Sequence, residues 1–183
     1  MLVTENASGH TRAWPFETRP LSDVMGVEIT DIGMETAVRP EFFPFVYEAF
    51  LDHQVLLFRD TDLSPETQVA FARCFGEVEI HVLDQYYGSG LPEIYLLSNL
   101  GADGNPTGEH PDPGTMHWHT DLSWRPRTGL ATMMYAVEAP REGGETHLCD
   151  MYGAYQSLSE GWIVRLAGVK AIHNLDFSRT RRQ

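Results

Sequence analysis

From Glu93 onward the chain repeats one pattern, a short apolar-rich segment followed by a cluster of turn formers. The segments are "EIYLLSN", "HWHTDLSW", "GLATMMYAVEAP" and "ETHLCDM", and the clusters between them include "GADGNPTGEHPDPG", "RPRTG" and "REGG". Glycine, proline, asparagine and aspartate in such clusters reverse the chain, and segments of this length and content fit strands. No other feature constrains the fold as much, because successive short strands must pair with one another before they can bury an apolar face.

Two helical patterns and two strand patterns precede this region. In "RPEFFPFVYEAFLDHQ", Phe42, Val46, Ala49 and Phe50 recur at helical spacing, with Pro44 near the start where a missing N–H costs little. "SPETQVAFARCFG" carries a cap at Ser64, a first-turn proline at Pro65 and a stop at Gly76, with Val69, Ala70, Cys74 and the phenylalanines as its expected buried side. "GVEITDIG" (26–33) alternates as a half-buried strand does, and "VLLFRD" (55–60) is a compact apolar strand. "MYGAYQSLSEG" predicts a short helix near the end. Residues 1–19, polar and interrupted by Pro15, predict an arm or a first edge strand, and residues 20–183 one domain. The expected fold is therefore mainly β with flanking helices, an antiparallel sandwich or jelly roll. Periodicity leaves the choice between sandwich and barrel open.

Composition narrows the function. A hydrophobic content of 42% and a charged content of 21% suit a globular chain with a real core. A formal net charge of −13 repels phosphate backbones and argues against nucleic acid as a partner. No apolar run approaches the ~20 residues that span a bilayer. The N-terminus has neither a basic start nor an apolar signal core, so no membrane partner and a cytoplasmic location are expected. Cys74 and Cys149 lack the short paired spacings of zinc or redox motifs and are expected to be buried free thiols.

The chemistry concentrates in "MHWHTDLSW", which sets His117, His119 and Asp121 at alternate positions. On a strand these three would share a face, and the Cα atoms of His119 and Asp121 would stand roughly 6.5 Å apart. From there an imidazole and a carboxylate can converge on one ion as two members of a two-histidine, one-carboxylate triad of the kind that holds non-haem Fe(II). A hydrogen-bonded surface pair among packed tryptophans is the competing reading of the same residues. An H-x-H-x-D zinc hydrolase site of the metallo-β-lactamase type would need a histidine where Leu122 stands, and the α/β alternation of that fold is absent.

The stretches "WHTDLSW" and "GLATMMYAVEAPREGGETHLCDMYGAYQSL", with "VLLFRDTDLSPETQVAFARCFGEVEIH" before them and "HNLDFSRTRR" after, resemble the taurine dioxygenase and 2,4-dichlorophenoxyacetate dioxygenase family of Fe(II)- and 2-oxoglutarate-dependent enzymes. The resemblance covers roughly residues 20–182, and "CDMYGAY" leans toward the phenoxyacetate branch. It implies a double-stranded β-helix, the jelly roll, of which these residues hold the N-terminal and central part. It also implies an enzyme that hydroxylates a small, anionic organic substrate while 2-oxoglutarate yields succinate and CO2. His119 and Asp121 match the family's first two iron ligands, and Thr146, which closes "GGET", matches the threonine that binds the distal carboxylate of 2-oxoglutarate. Gly143 and Gly144 match the turn presenting that threonine. His81 matches a histidine beside the substrate in taurine-type enzymes, although a solvent-facing loop histidine would read the same way. Thr115 stands where those enzymes carry asparagine, which argues against taurine itself. Association into homo-oligomers is common in the family and leaves the state of this chain open.

The same resemblance implies a second histidine ligand and a cosubstrate arginine from a segment past "SRTRR". His173 matches a position before that segment, and Arg179, Arg181 and Arg182 match the tract itself. Three explanations are open at this point: a longer enzyme of which this is part, a non-catalytic jelly-roll binding module or pseudoenzyme, or an unusual site completed by His117 or His147.

Overall fold

The computed structural model describes residues 3–5, 11–80, 90–109 and 116–174. The chain divides into two compact units, Met1–Gly76 with Met134–Gly168, and Glu77–Met133 with Val169–Gln183. Every strand and helix among the described residues belongs to the first unit.

That unit begins with a hairpin in which β1 (Val3–Glu5) pairs antiparallel with β2 (Thr11–Ala13). A separate three-stranded sheet has the order β3 (Thr18–Pro20), β4 (Val27–Ile29), β5 (Leu56–Leu57). β3 and β4 run antiparallel, with Arg19 opposite Glu28, while β4 and β5 run parallel, with Val27 opposite Leu56. A parallel neighbour needs a long crossover, supplied here by α1 (Met34–Ala37) and α2 (Phe43–His53). Gly26 enters β4 at φ 86°, and a Cβ there would lie 3.3 Å from the Leu21 side chain, so only glycine fits without strain.

β4 is the middle strand, and Val27, Glu28 and Ile29 are all buried where the alternating sequence predicts a half-buried strand. The buried carboxylate is tolerated because two guanidinium groups reach it: Arg19 Nη2 at 2.5 Å and Arg59 Nε at 3.3 Å from Glu28 Oε2. Trp14 and Phe16 stack nearly parallel at 5.8 Å between centroids and belong to the same core.

The two long helices form as their sequences predict. α2 takes Pro44 in its first turn, buries Val46 and Ala49, and stops at Gln54, whose φ of 67° turns the backbone left-handed. α3 (Pro65–Cys74) starts at Ser64, whose hydroxyl accepts a hydrogen bond from the Thr67 N–H at 3.2 Å. Between them the rings of Phe43, Phe50 and Phe71 meet Phe75 edge-on at 5.0, 5.5 and 5.3 Å between centroids. α3 turns Val69 and Phe71 inward; Ala70, expected on that side, is exposed, and Cys74 is half-buried. Cys149 is exposed, against the expectation of a buried thiol, and both cysteines are free.

Residues 134–168 join this unit through polar contacts of Tyr135 and Asp150. The Tyr135 hydroxyl donates to the Thr61 carbonyl at 3.1 Å, and Gln54 Nε2 donates to Asp150 Oδ1 at 3.1 Å. Asp150 also caps α4 (Met151–Gln156), accepting from the N–H groups of Tyr152 and Gly153 at 3.0 Å each. These bonds hold its carboxyl below the usual carboxylate range, the Gly153 N–H contributing most and Gln54 next. α5 (Glu160–Leu166) follows at once.

The strands expected at 93–99, 117–124, 129–140 and 145–151 are not formed among the described residues. Ladder pairing there is limited to isolated bridges such as Leu100 with Pro106. An apolar, β-branched segment becomes a strand only where another backbone pairs with it. The described residues therefore show a small mixed sheet with helices, and helix outweighs strand. None of these helices is long and apolar enough to cross a membrane.

Candidate metal centre

The "HWHTDLSW" stretch lies in the second unit and is a bend followed by a turn. Thr, Asp and Ser are turn formers, and here they prevail over the alternation that suggested a strand. Leu122 takes φ 54°, and the Arg125 N–H closes the turn on the Leu122 carbonyl at 2.9 Å. The turn brings His119 and Asp121 together by a route other than the shared strand face. His119 Nε2 lies 3.2 Å from Asp121 Oδ1, with the side chains 40% and 50% exposed.

Both side chains have a second partner. His119 Nδ1 is 2.7 Å from the His117 carbonyl oxygen. A carbonyl can only accept, so Nδ1 carries the proton and a neutral ring presents a lone pair at Nε2. Asp121 Oδ2 accepts from the Thr132 hydroxyl at 2.7 Å. Oδ1 therefore faces Nε2, and two lone-pair atoms this close require a positive charge between them, either a proton or a metal ion. Two ligands bound at about 2.1 Å and at right angles stand about 3.0 Å apart, close to the separation found. The donor set, one imidazole nitrogen and one carboxylate oxygen on adjacent corners, fits a hard-to-borderline divalent ion such as Fe(II).

His117 enters the site through its backbone and not through its ring, which removes it as a third ligand from the same segment. Among the described residues no group of three His, Cys, Asp or Glu side chains could hold a metal ion. Trp118 is 74% exposed and builds no core, whereas Trp124 is half-buried under the Arg125 guanidinium, 4.5 Å from its ring centroid. Arg125 also pairs with Glu79. His173 Nδ1 lies 3.0 Å from the Ser123 hydroxyl, within the same unit.

Thr146 belongs to the first unit, exposed, two residues after a turn in which Gly143 and Gly144 take φ 78° and 74°. A Cβ on Gly144 would come 3.1 Å from Pro140 Cγ, so the turn expected from "GGET" does depend on glycine. His81, Thr115, Arg179, Arg181 and Arg182 lie outside the described residues. Sequence reasoning missed Thr132. The signal for it was the "RPRTG" turn, which brings Gly129 beside Leu122 and Thr132 beside Asp121.

Comparison with known proteins finds relatives over most of the chain. The family model described as "Taurine catabolism dioxygenase TauD, TfdA family" matches residues 17–183. The (S)-phenoxypropionate/alpha-ketoglutarate-dioxygenase of Sphingobium herbicidovorans is 28% identical over 91% of this chain and 56% of that protein. Pentalenolactone F synthase of Streptomyces avermitilis is 38% identical over 71% of this chain and 43% of that protein. Among solved structures, AAD-2 in complex with Mn(II) and N-oxalylglycine superposes with a TM-score of 0.71 at 26% identity, covering 91% of this chain and 59% of that one. The chain thus spans about half the length of the relatives it matches.

Proposed function

The chain belongs to the TauD/TfdA family of Fe(II)- and 2-oxoglutarate-dependent dioxygenases, and on that premise we propose that it carries two of the iron ligands of an enzyme hydroxylating a small, anionic organic substrate. The observation carrying this reading is the facing of His119 Nε2 and Asp121 Oδ1 at 3.2 Å, with Nδ1 already committed to the His117 carbonyl. With Nδ1 donating to the His117 carbonyl, Nε2 is the ring atom left to face the carboxylate, and a divalent ion bridging the two in place of a proton would meet both donors.

In this reading residues 20–183 are the N-terminal and central part of one double-stranded β-helix domain, in keeping with the match of nearly the whole chain to about half of its relatives. His119 and Asp121 would hold the metal. Bound Fe(II) supplies the oxygen chemistry in which 2-oxoglutarate is converted to succinate and CO2 while a substrate C–H is hydroxylated. Thr146, presented by the Gly143–Gly144 turn, donates its hydroxyl to the distal carboxylate of 2-oxoglutarate. His81 and Thr115 take the substrate side, with threonine in place of asparagine directing the pocket away from taurine. The third ligand and the cosubstrate arginine come from outside the described residues. An anionic substrate is favoured by the (S)-phenoxypropionate named for a relative that aligns over most of the chain.

The whole protein is expected to form succinate from 2-oxoglutarate only with Fe(II) present, and fastest with one of a panel of phenoxyalkanoates, sulfonates and alkyl sulfates. His119→Ala and Asp121→Ala are each expected to abolish turnover. Normal turnover in both variants would show that the site lies elsewhere.

A further inference from the structure

Among the described residues, Thr132 is the side chain whose hydroxyl donates to the carboxylate of the candidate metal pair. Its hydroxyl lies 2.7 Å from Asp121 Oδ2, while Oδ1 lies 3.2 Å from His119 Nε2. A carboxylate that ligates through both oxygens must turn both toward the ion. Here one oxygen already accepts from a hydroxyl donor. Thr132 is exposed and eleven positions from Asp121 in sequence, so neither burial nor chain proximity forces the contact.

We infer that Thr132 is a positioning residue that holds Asp121 in a one-oxygen binding mode, Oδ1 toward the metal and Oδ2 toward the hydroxyl. The inference rests on the proposed assignment of His119 and Asp121 as ligands. The consequence is chemical: a carboxylate bound through one oxygen occupies one coordination position instead of two. The position left free is needed when a single ion must also accept a chelating cosubstrate and dioxygen. The arrangement matches the His119 side of the pair, where the His117 carbonyl fixes the ring through Nδ1. Each ligand is thus oriented by a hydrogen bond at the atom turned away from the metal position, His119 Nδ1 donating and Asp121 Oδ2 accepting, and outer partners of this kind typically tune affinity by about 10–100-fold.

The test measures Mn(II) binding to the whole protein by the loss of the free-ion EPR signal, with far-UV circular dichroism on every variant. Thr132→Val keeps the shape and removes the donor; it is expected to weaken Mn(II) binding about 10-fold or more with an unchanged fold. Thr132→Ser restores the hydroxyl and is expected to return affinity to near the wild-type value, which a packing role for the methyl group would not do. Wild-type affinity in Thr132→Val, or equal weakening in Thr132→Ser, overturns the inference and leaves the ligand assignment standing. If His119→Ala and Asp121→Ala bind Mn(II) like the wild type, or the wild type does not bind it, the assignment fails and the inference with it.

Discussion

Glu28 sets the clearest single-residue test of the fold. The Arg19 guanidinium, its cross-strand partner, holds its carboxyl below the ordinary value of 4.5, with Arg59 adding to the effect and burial opposing it. A carboxylate with a depressed folded-state pKa stabilises the fold above its unfolded pKa, and that stability is lost as pH falls through the folded value. Glu28→Gln is therefore expected to lower the melting temperature near neutral pH, with the deficit shrinking as pH falls below about 4. Melts of both proteins across that range check it; a deficit constant with pH would mean that shape, not charge, matters at this position. His117 gives a second test. Because it acts through its carbonyl, His117→Ala is expected to retain Mn(II) binding, with a loss smaller than the about 10-fold typical of a removed outer partner. A loss equal to that of His119→Ala would make the ring a ligand. At this scale the sequence was informative about identity and silent about geometry. The His119/Asp121 pair was readable from spacing, yet it meets across a turn with Leu122 at positive φ. The "RPRTG" turn marked where the chain reverses, but not that Thr132 would be the residue to meet Asp121.

Helices α2 and α3 owe their mutual placement to aromatic rings, and Phe71 is the central one, 6% exposed and edge-on to Phe43, Phe58 and Phe75. Phe71→Ala is expected to cost about 3–5 kcal/mol, because the rigid neighbours cannot close the space left behind. Ser64→Ala at the start of α3 is expected to cost about 1 kcal/mol through loss of the bond to the Thr67 N–H. Chemical denaturation of the whole protein checks both, and a larger loss for the serine would reverse the order of packing and capping proposed here. These elements were legible because a helix satisfies its own backbone: caps, a first-turn proline and one apolar stripe lie within a dozen neighbouring residues. α1 and α5 carry weaker signals, with no side-chain cap bond at Gly33 or Ser159, and neither was anticipated. The expected strands failed for the converse reason. "GLATMMYAVEAP" is a sound strand sequence, but a strand is completed by a partner that local pattern does not specify, and the described residues supply none.

Across the whole chain, core and apolar surface are unevenly distributed. Among the described residues the buried hydrophobic ones all fall between Trp14 and Phe71, whereas Trp118, Met134, Val137, Met151, Tyr152, Val164, Val169 and Ile172 are about two-thirds exposed or more. Single exposed apolar side chains are ordinary, but a long series of them marks a surface that associates. The net charge of −13 works against association by self-repulsion. That repulsion is screened by salt, the Debye length falling from about 10 Å at 0.1 M to about 3 Å at 1 M, while apolar attraction is not. The 183-residue chain alone is therefore expected to bind the hydrophobic dye ANS strongly and to form larger species as salt rises, with a broad thermal transition in place of a sharp one. Dye fluorescence, light scattering and calorimetry on that chain measure all three. A monomer that melts in one sharp, cooperative step, takes up little dye and stays monomeric in high salt would show that residues 116–172 find their partners within the chain itself.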